Sequence, residues 1–156
     1  MQSQDFRDAM AKLAGGVVVV SARTPEGYRG LTASTLISVS ADPPLLLVGL
    51  EHGSITRQAV VETREFNVSV LTRAQEFLAE RFAGRAPAVD GKWREVKHRL
   101  GTNGIPLIED CAAWFECEVV EVHPAGDHDI CIAGVKVAQA GAGNPLILWD
   151  RKFWTV

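Results

Sequence analysis

The run Ala113-Trp-Phe-Glu-Cys-Glu-Val-Val-Glu-Val122, followed at Asp129-Ile-Cys-Ile-Ala-Gly-Val-Lys-Val-Ala138 by a second of the same kind, decides the fold. Alternating apolar and polar residues mark strands with one buried face. In the first run the apolar phase passes through Phe115, Cys117 and Val119, then slips to Val120 and Val122. In the second, Ile130 and Ile132 give way to Val135 and Val137 across Gly134. Because side chains alternate with a period of two, each slip requires one extra residue, as a β-bulge supplies. Pro145-Leu-Ile-Leu-Trp149 reads as a further closing strand.

Working outward, Phe6, Ala9, Met10 and Leu13 follow helical spacing, which predicts a helix over 3–13 with one buried face, ended by Gly15-Gly16. The β-branched run from Val17 and the turn residues Thr24-Pro-Glu-Gly27 predict a β-hairpin. Leu45–Leu50, entered through Pro43-Pro44, is a fully apolar strand, and 66–71 alternates as a half-buried one. Ser54 is placed to cap a short helix reaching about Glu62. Thr72 and Gln75 have the spacing of a capping box that opens a second one. The stretch 84–104 is polar and irregular and reads as a functional or dimer-covering loop. Six or more strands with bulges and few helices favour a mainly β fold, an antiparallel barrel closed or partly closed.

At 156 residues the chain suits one domain, 1–156. A net charge of −3, with cations scattered among acids, argues against nucleic acid as a partner. No basic, apolar leader opens the sequence, and no stretch approaches the roughly 20 apolar residues that span a bilayer. The expected setting is cytoplasmic, with no membrane. Cys111, Cys117 and Cys131 are odd in number and lack metal spacing, so buried reduced thiols are expected. The histidines form no metal set with them. Neither a G-x-G-x-x-G turn nor a P-loop is present, which removes the usual nucleotide-binding folds.

Chemistry-bearing residues gather in four places. Thr32, Ser34, Thr35, Ser38 and Ser40 cluster donors suited to a phosphate or a flavin's polar edge, although a solvated strand face accounts for the same hydroxyls. Ser54, Thr56 and Arg57 stand at a helix N-terminus, where free N–H groups favour an anion; a plain cap with a surface arginine is the alternative. Arg81 and Lys92 flank the irregular stretch and add charge to the same phosphate or to the surface. Gly126-Asp-His-Asp129 is a turn whose His128 can offer an imidazole to a carboxamide or phosphate.

In chain order, TASTLISVSADPPLLLVGL, GSIT, EFNVSVL, ERFAG, DGKW, AGDHDICIAGV and PLILWDRKFW resemble the flavin reductase-like family, whose members supply reduced flavin to two-component monooxygenases. The resemblance spans nearly the whole chain. It implies a split β-barrel of Greek-key antiparallel type, with a few short helices, working as a homodimer. FMN or FAD would be the flavin and NADH or NADPH the hydride donor. Residues 32–36, including Ala33 and Leu36, with Ser38 and Ser40, would line the flavin ring and ribityl chain. Ser54, Thr56 and Arg57 would hold its phosphate, with Arg81, Phe82 and Lys92 near the cofactor. His128 would be the catalytic residue on the nicotinamide side, and no metal would be needed. A non-enzymatic FMN-binding electron-transfer protein on the same barrel is the alternative. Leu13 stands where relatives often have phenylalanine, and Phe153 where they often have tyrosine.

Overall fold

The structure, a computed structural model, describes residues 1–83 and 93–156. Helix α1 covers Ser3–Met10, followed by strands β1 (Gly15–Gly16), β2 (Val18–Thr24), β3 (Gly27–Ala33), β4 (Ile37–Ala41) and β5 (Pro44–Glu51). Then come α2 (Ile55–Thr63), β6 (Glu65–Val70), α3 (Glu76–Phe82), β7 (His98–Leu100) and β8 (Pro106–Ile108). The chain ends with β9 (Ala113–Ala125), β10 (His128–Ala140), β11 (Leu146–Trp149) and β12 (Lys152–Thr155).

Seven strands form one antiparallel sheet in the order β3-β2-β6-β9-β10-β5-β4. Its spine is the β9–β10 pair. There Val119 faces Ala133 while Glu121 faces Ile132, so Val120 is the extra residue where the phase slip was read. The second bulge leaves Lys136 unpaired, between Val135 and Val137, two positions beyond the glycine expected to mark it. Bulges bend and twist a sheet. Leu31 and Ala33 near one end of the ladder and Leu46, Val48 and Leu50 near the other consequently share one core. The ladder curls without closing, and β3 and β4 remain its edges. This is the split-barrel arrangement, mainly β, with three α-helices among the described residues.

Val18, Val20 and Ala22 point into that core, whereas Val17 and Val19 enter a second one with Leu71, Leu78, Phe82 and Ile108. β2 is therefore buried on both faces. So is β6, where alternation predicts a half-buried strand. Phe66 and Val68 fill the first core, and the segment around β8 covers the opposite face. Asn67 donates to the Ile105 carbonyl (2.9 Å) and exchanges amide hydrogen bonds with Asn103, while the Ser69 hydroxyl accepts from the Ile108 N–H (3.0 Å). Polar residues on a strand signal solvent only when no backbone is there to bond them.

The caps form as read: Ser54 Oγ accepts from the Arg57 N–H (3.1 Å), and Gln75 Oε1 from the Thr72 N–H (2.9 Å). All three thiols are free and buried. The irregular stretch lies partly outside the described residues, but its Trp93 and Val96 are core side chains. Two other expectations change. α1 buries none of its residues, and Phe6, Met10 and Leu13 remain exposed. What holds it is polar: the Asp150 N–H donates to the Ala11 carbonyl (2.7 Å), with ion pairs Lys12–Asp150 and Arg151–Asp8. The closing strand is one half of a hairpin, β11–β12, which β1 extends to three strands. Its turn puts both Asp150 (φ 50°) and Arg151 (φ 62°) in the left-handed region.

Candidate functional site

A cleft of about 510 Å³ opens between the C-terminal end of β3, helix α3 and the β11–β12 hairpin. Leu31, Thr32, Ala33 and Ser34 form one wall, Ala79, Glu80 and Ala83 a second, and Leu148, Arg151 and Phe153 the third. Val17 and Glu51 complete it. The volume is that of a small-molecule site, with apolar surface for a ring system and polar groups at the edges.

Local sequence explains how the walls hold together. Thr32, on the outward phase of β3, donates its hydroxyl to the Ala79 carbonyl (2.7 Å) and so fastens the strand to α3. After Ala33 the chain leaves the ladder, which exposes Ser34 at the cleft. Thr35 then folds back on β5, its Oγ1 donating to the Gly49 carbonyl and accepting from the Gly49 N–H, both at 3.1 Å. A methyl group at Gly49 would lie 3.2 Å from that oxygen and 3.8 Å from His128 Cδ2. Glycine at this position therefore leaves room for the Thr35 hydroxyl, while the His128 imidazole stands at ordinary contact distance from the same point of β5.

His128 pairs with Glu51, a cleft residue, across the β5–β10 ladder. Its Nδ1 lies 2.7 Å from Asp127 Oδ1, and that hydrogen bond holds the Asp127 carboxyl below its ordinary pKa. Asp129, the next residue, projects to the opposite face of the strand. It is buried, 2.8 Å from His52 Nε2 and 3.4 Å from Arg57 Nη1. Arg57 also donates to the His52 carbonyl (2.8 Å).

The residues singled out from sequence thus divide. Thr32, Ala33 and Ser34 line the cleft, and Thr35 ties the segment after β3 to Gly49 of β5. Leu36 packs against the first core. Ser38 and Ser40 lie on edge strand β4, opposite Leu46 and Leu45, with Val39 bulged between them. Ser54 and Arg57 stand at the α2 N-terminus, the one as cap and the other paired with Asp129, and Thr56 is buried beneath them. Arg81 reaches Glu95 at 3.7 Å. The Phe82 ring does not line the cleft but is buried in the second core, tilted against Trp93 at 4.8 Å between centroids. Lys92 lies outside the described residues. Sequence reasoning missed Glu51, Glu80, Asp129 and Arg151. For Asp129 the alternation misled: Ile130 and Ile132 read as the buried phase, whereas the structure buries Asp129, Cys131 and Ala133 and leaves the two isoleucines half-buried. Arg151 had none, since its position depends on an unforeseen hairpin.

The flavin reductase-like domain model matches residues 10–156. An FMN reductase (NADH), RutF, of Variovorax paradoxus is 34% identical over 150 residues, which are 96% of this chain and 83% of that protein. The NADH:FAD oxidoreductase SgcE6 of Streptomyces globisporus, solved with NAD and FAD fragments, superposes with a TM-score of 0.90 at 30% identity, over 97% of this chain and 90% of that one. The flavin reductase of a styrene monooxygenase from Pseudomonas putida superposes at 0.85 with 30% identity, over 97% of both chains. With matches this extensive in both sequence and backbone, the chain belongs to the flavin reductase-like domain family.

Proposed function

We propose that this protein is an NAD(P)H:flavin oxidoreductase that reduces FMN or FAD and supplies the reduced flavin to a partner monooxygenase. The observation that carries the reading is the cleft walled by residues 31–34, whose lining includes Glu51, the cross-strand partner of His128. When bound there, a flavin supplies the hydride acceptor, so the protein needs no acid or base of its own. Leu31, Leu148 and Phe153 give apolar surface for the ring, and the Ser34 hydroxyl meets its polar edge. The N–H groups opening α2 attract the phosphate, while Asp129 and the His52 carbonyl hold the Arg57 guanidinium beside them. His128, kept in orientation by Asp127, faces the nicotinamide of the donor.

A homodimer fits the same reading. Ile37 and Val39 on edge strand β4, Val120 and Val137 on the sheet, and Phe6, Met10 and Leu13 on and after α1 leave apolar surface exposed that a second copy would cover. Three buried free thiols suit a reducing, cytoplasmic setting.

The test is oxidation of NADH and of NADPH by the purified protein with FMN, FAD or riboflavin added. Flavin-dependent oxidation is expected. Flavin binding without oxidation of either nucleotide would mean a non-enzymatic flavin carrier instead.

A further inference from the structure

The structure assigns Arg151 as the cleft's contact for the phosphate groups of the dinucleotide hydride donor; this rests on the reductase reading above. Among the described residues that line the cleft, Arg151 is the one cation, and Glu51 and Glu80 are the acids. An anionic ligand entering the cleft is repelled by those carboxylates and drawn to the guanidinium at the hairpin wall. The residues expected to serve the flavin phosphate, Ser54 to Arg57, stand at the α2 N-terminus and do not line the cleft.

Two features suit the guanidinium to an incoming anion. Its Nη2 already holds one, Asp8 Oδ1 at 2.6 Å, but the pair is half exposed on both sides, and Asp8 rides on a helix that buries none of its residues. A solvated pair of this kind gives way readily to a better-charged bidentate partner. The backbone is the second feature. Arg151 has φ 62° in a two-residue hairpin turn, where glycine adopts the conformation without strain. Asp150, at φ 50°, has a structural reason to be there, since it pairs with Lys12 at 2.8 Å and its N–H donates to the Ala11 carbonyl. Arg151 has only Asp8 and the cleft.

The glycine preference of that turn makes the experiment clean, because Arg151→Gly removes the cation while relieving the backbone. Steady-state kinetics would use riboflavin as acceptor, which carries no phosphate, with NADH or dihydronicotinamide riboside as donor. We expect Arg151→Gly to raise KM for NADH about 5- to 20-fold, the loss of one charge-assisted contact. kcat and KM for the riboside should stay within about twofold of the wild type on the same scale. Arg151→Lys should recover part of the affinity, and Tm should hold or rise in Arg151→Gly. An unchanged KM for NADH, or an equal rise for the riboside, would overturn the assignment. So would an effect on FMN affinity in place of NADH affinity, which would give the contact to the flavin's phosphate. A fluorescence titration of NADH without turnover reads the same contact independently, so that an inactive wild type would count against the reductase reading alone.

Discussion

Arg57 on α2 and Asp129 on β10 face each other at 3.4 Å, and the same carboxylate lies 2.8 Å from His52. Asp129 is 5% exposed, so its carboxylate has left water and is satisfied by the Arg57 guanidinium and a hydrogen-bond contact with His52. Asp129→Ala strands the guanidinium against the sheet. It is expected to lower unfolding free energy by about 2 kcal/mol, below the range for fully buried pairs because Arg57 and His52 keep some solvent. Urea unfolding measures this, and a change under about 0.5 kcal/mol, the scale of ordinary surface substitutions, would show that the cluster contributes no net stability.

His128→Ala removes the imidazole beside Gly49 without touching either core. KM for the nicotinamide donor is expected to rise, or kcat to fall, by about 5- to 10-fold, the effect of one hydrogen bond. FMN affinity by fluorescence titration should be retained. Unchanged steady-state parameters would remove His128 from the site.

Gly30 lies directly over the Phe82–Trp93 pair. A Cβ there would sit 2.6 and 2.7 Å from Phe82 ring carbons and 3.1 Å from Trp93. Both rings are buried and cannot swing away. Gly30→Ala should therefore cost about 1–3 kcal/mol through overpacking. Calorimetry of Gly30→Ala alone and with Phe82→Leu checks the cause, since the smaller side chain should recover part of the loss.

Burial raises the thiols of Cys111 and Cys117 to about 12 and that of Cys131 to about 11. At pH 8 the native protein should react with iodoacetamide only as fast as it unfolds, and all three thiols should react in urea. The folded values lie above those of the unfolded chain. The native state thus holds these protons more tightly, and its advantage, full below about pH 9, declines as pH rises through 11 and 12. Melting temperature followed from pH 8 upward should fall across that window.

Local features were legible because local chemistry produces them. Alternation, the Thr24–Gly27 turn, the Ser54 and Thr72 caps and the bulge at Val120 each follow from residues within a few positions of one another. β12 was not legible, because its turn uses Asp150 and Arg151 where the hairpin signal is glycine or asparagine. Nor was the burial of Asn67 and Ser69, whose partners arrive from around β8.

For the cleft the division has the same cause. The sequence by itself determined that this is a bulged antiparallel β protein and, through its resemblance, that its family handles flavin. Only the tertiary structure decided that Phe82 is core, that Arg57 is tied to Asp129, and that Arg151 meets Asp8 from 143 positions away. Periodicity records which side of a strand a residue occupies. Which charge it meets there depends on how the curled sheet brings distant segments together, and a one-dimensional pattern carries no term for that.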